Sequence, residues 1–158
     1  MIKAVVFDMD GVLVDSEPFA SKLDNMFLEQ FGHQLDEEFI ENLVGVSAKR
    51  SWEVIKEYLQ MPHKLEDLLD AYKQFTLEQW RNQSGLVPNP GVVDLIERLR
   101  SSNILLGLAT SSNRERLKLF LERLQFTQTF GAVVCGEDVA HSKPAPDIYL
   151  QAANGLTV

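Results

Sequence analysis

Lys3 to Phe7 (KAVVF) is an apolar run rich in β-branched and aromatic side chains, and no comparable run returns until Ile104. Such a segment without alternation reads as a strand buried on both faces of a parallel sheet. Between the two runs the period is helical. Phe19, Leu23, Phe27 and Phe31 recur at every fourth position, and Gly32 stands where a helix would end. Trp52, Ile55 and Leu59 mark another helix, stopped before Pro62, and Leu65, Leu68, Leu69, Tyr72, Phe75 and Trp80 give one or two more. A helical insertion with its own apolar faces therefore interrupts a sheet just after its first strand.

Ser84 to Gly91 (SGLVPNPG) is the strongest punctuation in the chain. Beyond it the period changes. Val92, Leu95, Ile96 and Leu99 predict a helix, and Ile104 to Ala109 (ILLGLA) a buried strand. Leu117, Leu121 and Leu124 predict the next helix, and Ala132 to Cys135 a further short strand. Pro146 suits a first helical position, Ile148 to Ala153 continue that helix, and Asn154-Gly155 would cap its end. Strands alternating with helices imply right-handed crossovers and a parallel sheet. The expected architecture is α/β, with a discontinuous core over 1–15 and 85–158 and an α-helical insertion over 16–84. SGLVPNPG and the VLVDSEP segment would be the two hinge strands between them.

Composition narrows the function classes. The 158 residues are 45% hydrophobic and 24% charged, the balance of a globular protein. A net charge of −8 argues against nucleic acid as a partner, because phosphate backbones call for clustered Lys and Arg. One cysteine, Cys135, excludes an internal disulfide framework and fits a reducing compartment. Asp8 and Asp10 interrupt any signal-peptide pattern, and no apolar run approaches the roughly 20 residues that cross a bilayer. The expectation is a soluble cytoplasmic protein without a membrane or nucleic-acid partner.

In parallel α/β sheets, ligands bind outside the carboxyl ends of the strands. Asp8 and Asp10 follow the first strand here. Thr110, Ser111 and Ser112 follow the second, and Lys143 lies in the loop HSKPAPD after the third. Two carboxylates, hydroxyl groups and a lysine converging on one rim suit phosphoryl transfer. A carboxylate can attack phosphorus while a cation and donors neutralise the equatorial oxygens. Two anions facing a phosphate dianion repel it unless a hard, oxygen-loving cation and a lysine intervene.

FDMDGVLVDSEP, LATSS and SKPAPDIYL resemble the first three motifs of the haloacid dehalogenase-like superfamily. The likeness is strongest to its phosphatase and β-phosphoglucomutase-like branch, in which a helical cap follows the first motif. It covers essentially the whole chain, in order. It implies a Rossmann-like parallel sheet, of which three of the usual strands are present in the order 3-2-1. It also implies Mg²⁺ as cofactor, held by Asp8 and by the main-chain carbonyl of Asp10. Asp8 would be the nucleophile that forms an aspartyl-phosphate. Asp10 would be general acid for the leaving alcohol and then base for water. Gly11, Thr110, Ser111 and Lys143 would bind the phosphoryl group, with Lys143 pairing Asp8 as well. Asp10 also argues against halide displacement, which needs no second aspartate.

Ordinary structural roles compete for several of these positions. Thr110 suits a helix N-cap, Lys143 a solvated loop and Cys135 a small buried hydrophobe. Glu137 and Asp138 read as loop residues, and His33, His63 and His141 are too scattered for a metal site. Asp15 and Glu17 suit the turn and the start of the insertion's first helix. Gly45-Val46-Ser47 resembles the cap segment of the mutases. However, Ala48 replaces the arginine expected next and Ala20 the hinge histidine, which leaves phosphatase ahead of mutase. Lys49 and Arg50 are candidate cap contacts to substrate, with a solvated helix face as the alternative.

The resemblance implies a fourth, acidic motif after a fourth strand, which completes Mg²⁺ coordination. No acidic residue follows Asp147. The expectation is a C-terminally incomplete chain with impaired activity and an exposed first-strand edge that invites self-association. The function expected is Mg²⁺-dependent hydrolysis of a small phosphorylated metabolite, such as a sugar phosphate. The alternatives are a phosphosugar mutase and a catalytically silent remnant that self-associates.

Overall fold

Three short strands, β1 (Ala4–Phe7), β2 (Leu105–Ala109) and β3 (Ala132–Val134), form a parallel sheet in the order β1-β2-β3. Ala4 pairs with Leu105 and Phe7 with Leu108, while Gly107 pairs with Ala132 and Ala109 with Val134. The computed structural model describes residues 2–43, 48–141 and 143–158. The chain divides into two compact units, one of residues 1–17 and 83–158 and the other of residues 18–82. Gly45-Val46-Ser47, the mutase-like segment, and Ser142 of the third motif lie outside the described residues.

In the sheet-bearing unit, β2 is the central strand, with Leu106, Leu108 and Ala109 buried. The first strand departs from the expected two-sided burial: Phe7 is buried, but Ala4, Val5 and Val6 are only half-buried. The reason is its place at the end of the sheet, with β2 its one neighbouring strand among the described residues. Helices α5 (Val92–Ser101), α6 (Arg114–Arg123) and α7 (Asp147–Gly155) follow the expected pattern. The numbering α1 to α4 belongs to the other unit. Because side chains alternate across the pleat, Val6, Gly107, Ala109, Ala132 and Val134 share one face. There Ala109 and Val134 pack with Ile148 and Ala152 of α7, and Val6 joins them.

The end of α7 corrects the sequence reading. Pro146 occupies the N-cap rather than the first helical position, and the helix runs through Gly155 to a C-cap at Leu156. Gly155 is there for close packing rather than for termination. A Cβ at that position would lie 2.9 Å from the Ala132 Cβ, and a Cβ at Gly107 or Gly131 would lie 3.2 or 3.1 Å from the Leu156 side chain.

The segments flanking the insertion are tied together within this unit. Val14 and Pro88 form an antiparallel bridge. The Asn89 amide donates to the Leu13 carbonyl at 2.8 Å, and its side chain donates to the Val12 carbonyl at 2.9 Å.

The unit of residues 18–82 is helical in its described residues. It holds most of α1 (Glu17–Leu28), then α2 (Glu37–Glu41), α3 (Ala48–Tyr58) and α4 (Leu65–Asn82). A short 3₁₀ turn after α1 ends at Gly32, whose φ of 74° is the left-handed value that favours glycine. Phe27, Leu28, Leu35, Trp52, Ile55, Met61 and Leu68 form its core. The Phe27 ring meets Phe31, Trp52 and Tyr72 edge-on, each at a centroid distance of 5.3 Å. Asp24 is drawn into this environment and accepts the Tyr72 hydroxyl at 2.6 Å. Burial pushes its carboxyl above the usual 3.8, against the opposing effect of that hydrogen bond.

Two stability measurements check this packing. Gly to Ala inside an open helix stabilises by about 0.5–1 kcal/mol, whereas Gly155→Ala should destabilise by about 1–3 kcal/mol through overpacking against Ala132. Urea unfolding of the variant reads the sign. The raised carboxyl of Asp24 binds its proton more tightly in the folded state. Its contribution to stability is therefore fullest below about pH 3.8 and is lost as pH rises through the folded value. Asp24→Asn keeps an acceptor for Tyr72 and removes that loss. The variant should gain on the wild type progressively as unfolding is measured at rising pH from 4 to 7.

Candidate active site

The carboxyl ends of the three strands bring the sequence-predicted residues into one unit. Asp8 directly follows β1. One of its carboxylate oxygens accepts the Met9 amide at 2.8 Å, and the other lies 2.7 Å from the Lys143 ammonium. Lys143, in the loop between β3 and α7, also donates to the Ala109 carbonyl at the end of β2, at 3.2 Å. Its ammonium stands 4.9 Å from the centroid of the Tyr149 ring, on the first turns of α7. Burial opposes the Lys143 charge, but Asp8 and Tyr149 prevail and raise the ammonium above the usual lysine range. The solvated-loop alternative for Lys143 therefore fails. A lysine that touches the ends of β1 and β2 from the loop after β3 fastens the rim together.

Gly11 turns the chain after the second aspartate. Its φ of 72° lies in the left-handed region, and its amide donates to the Val14 carbonyl at 2.9 Å. Asp10 is held by three donors. Ser16 Oγ reaches one carboxylate oxygen at 2.6 Å and Arg116 Nη2 the same oxygen at 2.5 Å, while Ser112 Oγ reaches the other at 2.9 Å. Ser16 is buried in spite of its hydroxyl, and that hydrogen bond accounts for the burial.

Thr110 is buried at the end of β2. Its amide donates to the Val134 carbonyl at 3.0 Å, and its hydroxyl accepts the Ser112 amide at 3.1 Å. The N-cap of α6 is instead Asn113, whose side chain accepts the Arg116 amide at 2.9 Å. Ser111 is exposed in the same turn. That turn lies hard against the chain leaving β3. The Gly136 amide donates to the Ser112 carbonyl at 3.1 Å, and a Cβ on Gly136 would fall 2.6 Å from the Ser111 carbonyl oxygen. Only glycine permits the approach.

Cys135 and Asp138 act structurally beside it. Cys135 is fully buried, and burial pushes its thiol up, with Asp138 adding to the effect. The Cys135 amide donates to Asp138 at 2.9 Å. That bond and the thiol hold the Asp138 carboxyl below the usual carboxylate range, with help from its ion pair to Arg114. Lys49 and Arg50 belong to the other unit, in the first turn of α3, where Arg50 pairs with Glu53 at 3.0 Å.

Sequence reasoning did not single out Ser16, Arg116 or Gly136. No spacing in the sequence signals Arg116, because Ser112 precedes the Asn113 N-cap and the two do not share a face of α6.

Comparison with known proteins matches residues 5–158 to the haloacid dehalogenase-like hydrolase family model. A phosphorylated carbohydrates phosphatase of Thermotoga maritima is 34% identical over 159 residues, covering 99% of this chain and 72% of that protein. The β-phosphoglucomutase of Bacillus subtilis is 34% identical over 165 residues, covering 99% of this chain and 71% of that protein. Among solved structures, CbbY of Rhodobacter sphaeroides in complex with phosphate superposes with a TM-score of 0.81 at 25% identity. That match covers all of this chain and 74% of the other. The strand-end cluster and these likenesses meet in one conclusion: the chain belongs to the haloacid dehalogenase-like hydrolases.

Proposed function

We propose that this chain is a phosphatase acting on a small phosphate monoester, with a sugar phosphate as the class of substrate, by way of an aspartyl-phosphate on Asp8. The observation that carries the reading is the pairing of Asp8 with Lys143 at 2.7 Å at the end of β1. The Met9 amide on its other oxygen fixes the rotation of that carboxylate. A carboxylate so held presents a lone pair without having to reorganise, and the lysine lies where a phosphoryl oxygen would need a positive charge. The named relatives support the substrate class, since one is a phosphatase of phosphorylated carbohydrates.

In the first step the Asp8 carboxylate forms a bond to phosphorus while the bond from phosphorus to the alcohol oxygen breaks. Asp10 delivers its proton to the departing alkoxide. In the second step water attacks the phosphoryl group, Asp10 takes the water's proton, and the bond from phosphorus to Asp8 breaks. Thr110, Ser111 and Gly11 are assigned to the phosphoryl oxygens together with Lys143.

The hard oxygen donors at this rim, the Asp8 carboxylate and the Asp10 main-chain carbonyl, fit Mg²⁺, which keeps waters and takes substrate oxygens to fill its octahedron. Bound there, Mg²⁺ would neutralise phosphate charge that two aspartates would otherwise repel. The helical unit is proposed as the substrate-selecting cap, with Lys49 and Arg50 as its anion-recognising residues.

The mutase reading has one observation in its favour, the likeness to the Bacillus subtilis β-phosphoglucomutase. A mutase would require a sugar bisphosphate activator and hydrolyse only slowly. Self-association along the outer edge of β1, which no other strand of the described residues pairs, is a separate proposal, checked by concentration-dependent sedimentation.

Turnover of an aryl phosphate with Mg²⁺ should begin with a burst of phenol, and chelation with EDTA should abolish it reversibly. Asp8→Asn should lower kcat at least about a thousandfold, as loss of a nucleophile does. Lys143→Ala should lower it by about 100-fold or more, the scale of a lost oxyanion donor. Unchanged turnover in Asp8→Asn would overturn the reading. Hydrolysis only in the presence of a bisphosphate would turn it to mutase.

A further inference from the structure

Of the residues around Asp10, Arg116 has no part in the reaction just proposed, yet it is the most heavily connected. Its Nη2 donates to Asp10 at 2.5 Å, and its Nη1 donates to Ser112 Oγ at 3.2 Å. That same hydroxyl donates onward to the second carboxylate oxygen of Asp10, at 2.9 Å. One guanidinium thus reaches both oxygens of Asp10, one directly, where Ser16 Oγ also donates, and one through Ser112. The fork is itself braced: it lies 4.9 Å over the Phe120 ring, and the amide of the same residue is capped by Asn113. Side-chain exposures of 24% for Arg116 and 25% for Asp10 place the pair at the rim rather than in the core. The pair is part-buried, and a charge alone at that place would not fix the orientation of the carboxylate. A planar fork, by contrast, orients a carboxylate in a way a point charge does not.

We propose that Arg116 is the positioning residue for Asp10, setting the rotation of its carboxylate through the closed ring Arg116–Ser112–Asp10. The inference rests on Asp10 being the proton-transfer group of the proposed phosphatase. In that reaction Asp10 must offer an oxygen first to a leaving alcohol and then to water, along lines fixed by the bond to Asp8. General acid–base catalysis falls off when its donor is out of hydrogen-bond reach. A carboxylate free to rotate would spend most of its time misdirected, whereas one held by the ring is directed before substrate arrives. The same geometry explains why the turn after β2 carries Ser112 and its helix carries arginine four residues on. Ser112 precedes the Asn113 N-cap and Arg116 follows it, so the turn after β2 and the first turn of α6 together bring the two side chains to one carboxylate.

The experiment compares wild type, Arg116→Ala, Arg116→Lys and Asp8→Asn, in steady-state kinetics and in crystal structures without substrate. The Asp8 variant tests the phosphatase reading itself, so its failure is separable from that of the ring. Arg116→Ala should lower kcat about 10- to 100-fold, part of the range attributed to acid–base groups, with KM changed less than about threefold. Arg116→Lys, with charge but no fork, should recover only part of the loss. In the Arg116→Ala crystal the Asp10 carboxylate should leave Ser112 Oγ, a readout that needs no turnover. Unchanged kcat, a loss confined to KM, full rescue by lysine, or an undisturbed Asp10 in that crystal would each overturn the proposal. Should the alanine variant fail to fold, the lysine variant decides it by the same two readouts.

Discussion

Two carboxylates stand two residues apart at the end of one strand, and neither is left to solvent alone. Asp8 meets a lysine carried by the loop after β3, and Asp10 meets an arginine carried by the helix after β2. Each anion on the first strand is thus held by a cation from a different part of the sheet. A parallel arrangement suits this, because it points the ends of all three strands the same way. Without those cations, two anions at one strand end would repel each other and any phosphate that approached.

The small residues of the sheet serve that electrostatic arrangement. Gly107, Gly131, Ala132 and Gly155 let α7 lie close on the sheet, and α7 begins just after the loop that carries Lys143. Gly136 does the same for the other side of the rim. With no side chain there, the turn bearing Thr110 and Ser112 can rest on the backbone leaving β3. A methyl group at either place would act on the site at a distance, through the spacing of the elements that hold the charged groups.

Much of this was legible in the sequence, for physical reasons. AVVF, ILLGLA and AVV are continuous apolar runs and all three form strands, although only β2 is largely buried as such a run implies, with β1 half-buried and Val133 of β3 exposed. Asp8, Asp10, Thr110 and Lys143 were legible because strand ends are where such sheets place their polar chemistry. What escaped was of two kinds. Arg116 and Ser16 are polar residues whose role depends on a side chain folding back across the fold, which no periodicity records. Gly155 reads as a helix terminator from local preference, but a tertiary contact with Ala132 governs it. Pro146 stands one position before the first helical residue, an offset of the size by which helix ends commonly vary.

The bridge between Val14 and Pro88 has a meaning for how such a chain varies over time. By pinning Leu13 to Asn89, the sheet-bearing unit holds both ends of the intervening chain at neighbouring points. The entropy of closing a segment grows only with the logarithm of its length, about 0.6 kcal/mol for each doubling. A segment entering and leaving through such a clasp can therefore lengthen, shorten or be exchanged at small thermodynamic cost. The clasp makes the choice of what lies between its arms nearly independent of the stability of what lies outside them.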